Sequence, residues 1–454
     1  MGLTFSLFAL SPFNIPTYLA PMKRMILLAI LLAFYSSLLA QLASGPMLGY
    51  VDLREACVWV QTETSAKVVL QYHPKDDPTQ VETIPMTTSS PTFFTGKFIL
   101  TGLEPGTTYR YIVTVDGQKN RKEGYEFTTQ SLWHYRTDPP AFTVATGSCA
   151  YINEPEYDRP GKSYGGGYGI FDQIAGMEPD MMLWLGDNIY LREVDYGSRS
   201  GIAHRYTHTR GIPEMQKILS VCPNYAIWDD HDFGPNDSDR SYVHKDWTLE
   251  AFELFWGNPS FGIPGHPGIT TSFAFNDVEF FLLDNRYHRS NYKLETAEHQ
   301  IWGKEQVDWL IESLKFSKAS FKVIATGGQF LSDAAIYENH AQYQKERDEV
   351  LRRLDAEGIR NVIFLTGDRH HTELSKVTLP EGNVVYDLTA SPLTSRAYDH
   401  TDEPNNNRVE GTVVGEHNFA MLEFSGKFRE RVCTIKVYDG DGELIWEKEL
   451  SFDE

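Results

Sequence analysis

The chain has 454 residues, enough for two domains and a large buried core. It carries 62 acidic against 41 basic residues, a formal net charge of −21. That field repels phosphate polymers, which excludes specific nucleic-acid binding and argues against an anionic membrane surface as the main partner. An acidic chain of this kind accommodates phosphate groups only where bound cations reverse the local sign.

The first segment runs from basic Met22-Lys23-Arg24 through apolar Met25 to Phe34 and on to Ser36-Ser37-Leu38-Leu39-Ala40-Gln41. A basic start, a short apolar stretch and a small residue at its end predict a secretory signal over residues 1–40, cleaved near Ala40. The stretch is short for a membrane anchor, although an uncleaved anchor is the alternative. The expectation is an exported protein, periplasmic or secreted, with no stable membrane span after signal cleavage. Cys57, Cys149, Cys222 and Cys433 lie far apart without paired spacing, and a chain this long needs no disulfide scaffold.

Residues 45–130 read as all-β. Val58, Val60, Val68 and Leu70 sit in alternating runs, with Gly and Pro turns between short strands, the pattern of a β-sandwich. Leu103-x-Pro105-x-Thr107-x-Tyr109-x-Tyr111 resembles a fibronectin type III-like module, in which Tyr109 would be a structural corner.

Residues 140–454 alternate strands with helical stretches such as Gln306 to Leu314 and Gln344 to Glu357, an α/β layered domain. Six apolar runs in it read as buried strands: Phe142 to Ala145, Met181 to Leu185, Tyr225 to Ile227, Phe280 to Leu283, Val323 to Ala325 and Val362 to Leu365. Each is followed by a polar motif. In order these are Gly147-Ser148-Cys149, Gly186-Asp187-Asn188-Ile189-Tyr190, Trp228-Asp229-Asp230-His231-Asp232, Asp284-Asn285-Arg286, Gly327-Gly328-Gln329 and Gly367-Asp368-Arg369-His370-His371. Motifs at consecutive strand ends converge on one rim of a sheet. The tail returns to β structure at Ala420 to Phe424 and Cys433 to Tyr438, with Asp439-Gly440-Asp441-Gly442 marking a hairpin.

The residue types at that rim are metal ligands. The two oxygens of Asp187 can bridge two ions, and Tyr190, one turn later, can reach one of them; a phenolate favours a hard, oxidised metal such as Fe(III). A Cys149 thiolate would join that ion, and His370, two residues beyond Asp368 on an extended segment, can complete its shell. Asp230 and Asp368 supply only oxygen, which suits Ca²⁺ better than Zn²⁺. The pattern is that of a metal-dependent hydrolase.

Taken together the motifs resemble the metallophosphoesterase superfamily, whose purple acid phosphatase branch uses a Gly-Asp-x-x-Tyr turn, a Gly-Asn-His turn and a late His-x-His. Here those positions hold Gly186-Asp187 through Tyr190, Asp229-Asp230-His231 and Asp368-x-His370. The Trp228-Asp229-Asp230-His231 version, Ser148-Cys149, Asp284-x-Arg286 and the fibronectin-like first domain resemble the alkaline phosphatase D family in particular, from Gly45 to the C-terminus.

That resemblance implies a four-layer αββα domain behind an all-β sandwich. It also implies an exported phosphodiesterase and phosphomonoesterase with Fe(3+) and Ca(2+), acting on small-molecule or lipid phosphate esters. Carried onto this chain, Cys149, Asp187, Tyr190 and His370 serve the iron side and Asp187, Asp230 and Asp368 the calcium side. His231 is the acid or phosphate-contacting group, and Arg286 a second candidate for phosphate contact. Arg205-Tyr206 also matches a family pattern, which makes Tyr206 a rival or additional site residue. The chain departs from the family at Gly328-Gln329, where Asn-Gln is common, and at Asp232, where Glu is usual and reaches further.

Plainer readings stand beside these. A strand-end Asp is often a helix cap, a lone Cys a small buried hydrophobe, and Arg286 a partner for Asp284. Gly165-Gly166-Gly167 reads as a loop at a cleft mouth, since no Gly-Lys-Ser/Thr follows. His204 and His208 read as a solvated helix face. Two rival functions remain: a dedicated phosphodiesterase or phospholipase with little monoesterase activity, and a non-catalytic binding or adhesion protein with a structural metal. An acid such as His231 beside the ligands argues against the second, because a structural site needs none.

Overall fold

The computed structural model describes residues 41–120, 124–296 and 298–452. The expected signal segment, residues 1–40, lies outside them. Eight strands come first: β1 (Leu42–Val51), β2 (Glu55–Thr62), β3 (Lys67–Pro74), β4 (Glu82–Thr87), β5 (Thr95–Thr101), β6 (Thr108–Val115), β7 (Gln118–Lys119) and β8 (Tyr125–Thr128). Strands β1, β2 and β5 form one antiparallel sheet, and β4, β3, β6 and β7, with β8 beside β6, form the other. Their alternating side chains, among them Val58, Val60, Val68, Leu70, Phe98, Leu100, Tyr111 and Val113, meet in one core. The Tyr109 hydroxyl accepts the Glu104 N–H at 2.8 Å, the corner that the sequence pattern anticipates.

The larger part holds β9 (Phe142–Gly147), β10 (Met181–Leu185), β11 (Asn224–Ile227), β12 (Thr271–Phe275), β13 (Val278–Leu282), β14 (Phe321–Ala325), β15 (Val362–Thr366), β16 (Glu373–Thr378), β17 (Val384–Thr389), β18 (Asn418–Ser425), β19 (Val432–Asp439) and β20 (Leu444–Glu449). Its helices are α1 (Gly169–Gly176), α2 (Arg199–Arg210), α3 (Pro213–Val221), α4 (Asp230–Phe233), α5 (Lys245–Phe255), α6 (Gly303–Phe316) and α7 (Gln344–Ala356). Two six-stranded sheets run in the orders β11-β10-β9-β18-β19-β20 and β12-β13-β14-β15-β17-β16. In the first sheet β11, β10 and β9 run parallel and β18, β19 and β20 follow, each antiparallel to the strand before it; in the second, β13, β14, β15 and β17 run parallel between the antiparallel edges β12 and β16.

The pleat explains the four layers. Phe280, Leu282, Val323, Ala325, Ile363 and Leu365 point into the core shared with the first sheet. Their neighbours Phe281, Leu283, Ile324, Val362 and Phe364 point the other way, onto Leu310, Ile311 and Leu314 of α6 and Val350 and Leu354 of α7. Helices α1, α2, α3 and α5 contribute Ile174, Ile202, Ile218 and Phe252 to the first core. Strands covered on both faces lose hydrophobic alternation, which is why these runs read as continuously apolar. The expected helices extend to Gly303–Phe316 and end at Ala356, and the expected tail hairpin is β19 and β20.

The sandwich is seated on the larger part through the other face of its first sheet. Met47 and Trp59 belong to the core of the two-sheet domain. The Trp59 indole donates to the Leu254 carbonyl at 2.8 Å, and the Arg210 guanidinium lies 4.9 Å from the Trp59 ring and 4.3 Å from Trp256. Trp59→Ala is therefore expected to lose about 3–5 kcal/mol of stability in denaturant titration, the range for deleting a buried aromatic ring. A variant that unfolds at the wild-type midpoint would show that this seam carries no stability.

Candidate metal centre

The strand-end motifs meet on one rim because β9, β10, β11, β13, β14 and β15 deliver their carboxyl ends to the same side of the two sheets. Backbone geometry there is unusual. Cys149, Asp187, Asp368 and His370 adopt positive φ of 62°, 52°, 70° and 54°. Such conformations cost residues with a Cβ about 1–3 kcal/mol each and persist where surrounding contacts enforce them. Gly186, at φ 91°, makes the turn before Asp187 possible, since a Cβ there would lie 2.8 Å from the Asp229 Cβ.

Four overlapping sets of ligand atoms result. Within each of Cys149/Asp187/His370, Asp187/Asp230/His231, Asp229/Asp230/Asp368 and Asp230/Asp237/Glu338, one donor atom per residue lies within 4.8 Å of the others. The Cys149 Sγ is 3.6 Å from Asp187 Oδ2, and the Tyr190 hydroxyl is 3.3 Å from His370 Nε2. The Ser391 hydroxyl donates to Cys149 Sγ at 3.2 Å and accepts the His370 N–H at 2.9 Å, tying two of these residues together. The buried Asp229 Oδ2 and Asp230 Oδ1 find no hydrogen-bond donor among the described residues. A buried carboxylate oxygen without a donor costs several kcal/mol, roughly, unless a cation meets it.

The electrostatics agree. Burial, reinforced by Asp230 and the neighbouring carboxylates, pushes Asp187 well above the usual carboxylate range; burial with Asp229 and Asp230 does the same to Asp368. Burial also opposes charge on Asp230, yet His231 and Arg286 outweigh it and hold that carboxyl low. Burial and then Asp187 raise the Cys149 thiol, and the same two causes raise the Tyr190 phenol. Burial, with His231 next to it, takes His370 down to about 4, so its imidazole stands neutral, the form that ligates. Without positive charge this donor set cannot ionise together; cations of charge two or three reverse that balance. The residues therefore fit a multi-cation centre.

The Asp232 carboxylate accepts Asn188 N at 3.1 Å, Asn188 Nδ2 at 3.1 Å and Asp229 N at 3.0 Å, locking the Asp187 turn to the start of α4. The shorter acid is thus a brace and belongs to none of the four ligand sets. Arg286 does not reach substrate space as expected. It is 1% exposed, its Nε pairs with Asp229, and its other nitrogens lie 2.7 Å from Glu338 and 3.7 Å from Asp230. Nor does its guanidinium pair with Asp284, whose carboxylate accepts Trp228 Nε1 at 3.0 Å and the Arg286 N–H at 2.9 Å.

Tyr206 is fully buried and stacked on Phe255 at 4.7 Å, away from the rim. Gln329 accepts from Arg369 at 2.6 Å and donates to Glu373 at 2.6 Å, bracing the last motif. His204 pairs with Glu154 at 3.0 Å on the outer face of α2. The Gly165–Gly167 loop is tied down by Asn153, which donates to the Gly165 carbonyl at 2.7 Å.

A cleft of about 650 Å³ opens over the donor set and is lined by Asp187, Asp230, His231, Asp368 and His370, with Tyr164, Asp237, Glu338 and others around them. Sequence reasoning missed Asp229, Asp237, Glu338 and Ser391. Asp229 was marked by its motif, but its neighbour Asp230 took the role; Glu338 and Ser391 come from loops that carry no periodic signal.

The model of the PhoD-like phosphatase family matches residues 144–432, and a domain of unknown function (DUF7800) matches residues 39–131. Alkaline phosphatase D of Bacillus subtilis (strain 168) is 23% identical over 345 residues, covering 64% of this chain. The chain spans about half, 55%, of that relative's length. The solved structure of PhoD superposes with a TM-score of 0.71 at 15% identity, covering 90% of this chain and 92% of that one. A purple acid phosphatase from yellow lupin (Lupinus luteus) seeds superposes at 0.65 with 14% identity, covering 90% and 74%. At such identities the two structures establish the shared architecture, a β-sandwich followed by the layered α/β domain.

Because Arg286 faces carboxylates inside the protein, Arg286→Met is expected to destabilise the metal-free protein by about 3–5 kcal/mol, the cost of leaving buried acids unpaired. Urea titration reads this directly. Unchanged stability combined with weakened phosphate binding would return Arg286 to the substrate.

Proposed function

Because this chain belongs to the PhoD-like phosphatase family, we propose that it is an exported phosphoesterase that hydrolyses phosphate mono- and diesters at a centre of Fe(3+) and Ca(2+). One observation carries the reading: Asp187 and Asp230 are each shared between ligand sets on a single rim, so adjacent cations would face one cleft. Cys149, Asp187, Tyr190 and His370 would hold the iron, and Asp187, Asp230 and Asp368 the calcium. The basic-then-apolar pattern of residues 22–41 supports export.

When bound, such cations supply neutralisation of phosphoryl oxygens and a water activated near neutral pH. The chain's own contribution is placement. Asp187 fixes the spacing of the two sides, and its carboxylate is itself held by the His231 backbone N–H at 3.3 Å. Arg286 keeps Asp229, Asp230 and Glu338 oriented, a positioning role. His231 packs against Tyr190, ring centres 4.2 Å apart and tilted by 32°, and lines the cleft, where its imidazole would give a proton to the leaving oxygen. A structural metal in an adhesion protein would need neither this open cleft nor an acid in it.

Purified, unchelated protein should turn over bis-p-nitrophenyl phosphate and contain iron and calcium. Two zinc ions with no visible phenolate absorption band would overturn the metal assignment. Asp187→Asn should cost at least ~10³-fold in rate, the scale seen when members of a concerted site are removed; a folded variant with a near-normal rate removes Asp187 from the centre. His231→Ala should slow esters with alkoxide leaving groups by about 10²-fold or more, yet slow p-nitrophenyl esters much less, since p-nitrophenolate needs little protonation. Equal losses on both would make His231 a ground-state ligand and leave the acid elsewhere.

A further inference from the structure

The cleft divides into two halves of different chemistry, and the outer half bears on what the phosphate is attached to; the inference therefore rests on the phosphoesterase reading. The inner half is acidic, with Asp187, Asp230 and Asp368 at the donor set. The outer half is aromatic. Tyr337, His400 and Tyr398 form a tier in which the Tyr337 and His400 ring centres are 6.4 Å apart and those of His400 and Tyr398 6.2 Å apart. Tyr337 is 65% exposed and Tyr398 42% exposed, and neither hydroxyl makes a hydrogen bond among the described residues. Large aromatic faces gathered in water at a cleft mouth mark a place where a partner covers them.

The rings are backed by the protein. The Arg369 guanidinium sits 4.9 Å from the Tyr337 ring centre, Tyr398 stacks on His370 at 5.8 Å and 11°, and His400 packs on His371 at 4.7 Å. Tyr337 and Glu338 both hold positive φ, 45° and 53°, which mounts the Tyr337 ring at the rim. The tier offers π faces in place of net charge, because Glu403 neutralises Arg369 at 2.7 Å. The same Glu403 carboxylate lies 3.3 Å from His400 Nδ1, which directs that nitrogen inward and leaves Nε2 for the polar edge of a ligand. A cleft of about 650 Å³ is also far larger than a lone phosphate requires; cavities of roughly 300–1,000 Å³ take organic ligands.

We propose that Tyr337, His400 and Tyr398 form a stacking subsite for the nucleoside arm of a phosphodiester, with the base on the ring faces and its polar edge toward His400. A methyl arm would leave both the π faces and the imidazole edge unused, and a glycerol arm, which can hydrogen-bond the imidazole, would leave the π faces unused.

The test compares three p-nitrophenyl diesters on the metal-loaded protein, with thymidine (through its 5′ oxygen), glycerol or methyl as the second arm, so that the leaving group never changes. The thymidine ester should exceed the methyl ester by about 10- to 100-fold in kcat/KM, the range of one base stacking on aromatic side chains. Tyr337→Ala and Tyr398→Ala should each lower that ratio by about tenfold, mainly through KM, while Tyr337→Phe retains it. A ratio near one, a glycerol ester that matches the thymidine ester, or a ratio unmoved in both alanine variants overturns the subsite. A second readout does not need turnover: by calorimetry, thymidine 5′-methylphosphonate should bind more tightly than methylphosphonate, and the alanine variants should erase the difference. If no ester is hydrolysed, the phosphoesterase reading fails, and the calorimetric difference still decides for or against the subsite.

Discussion

The constraint on which the rest of this structure depends is the mutual repulsion of carboxylates gathered on one buried rim. Asp187, Asp229 and Asp230, each at most 3% exposed, stand with the half-buried Asp368 in overlapping ligand sets at strand ends. Two like charges in such surroundings repel far more strongly than in water. Arg286 relieves part of this by pairing with Asp229 and Glu338, and His231 and Arg286 together keep Asp230 ionised. Asp187 and Asp368 receive no comparable relief from the protein, and the two orphaned oxygens on Asp229 and Asp230 point to the same deficit. Positive charge from outside the polypeptide completes the balance.

Much of the local architecture serves to hold that unfavourable group in place. Cys149, Asp187, Asp368 and His370 sit in left-handed backbone, which the flanking strands enforce through their parallel pairing. Asp232 locks two of the motifs together through backbone N–H groups, and Ser391 couples Cys149 to the His370 backbone across the two halves of the domain. The sandwich adds stability from outside, through Trp59 and Arg210, without contributing to the cleft lining.

The layered architecture was legible because strands covered on both faces read as apolar runs, and each run here is followed by residues that break it. The candidate donors were legible for a different reason: thiol, phenol, imidazole and carboxylate groups follow β9, β10, β11 and β15, whose ends share a rim by topology alone. What stayed hidden depends on where side chains point. Arg286 reads as a possible phosphate contact, but Asp229 and Glu338, 57 and 52 positions away in the chain, turn its guanidinium inward. Tyr206 follows an Arg in a helix whose buried face could not be assigned before α5 was seen to cover it with Phe255. Glu338, Ser391, Tyr337 and Tyr398 come from irregular loops, where neither helical nor strand periodicity marks a role.

Adjacent cations would neutralise this carboxylate group, with Asp187 shared by the two sides. Anomalous-scattering maps from crystals of protein purified without chelators test it most directly. The expected result is one peak bounded by Cys149, Asp187, Tyr190 and His370 and a second bounded by Asp187, Asp230 and Asp368. Crystals that show no cation at Asp187, with its carboxyl protonated and hydrogen-bonded to its neighbours, would contradict it.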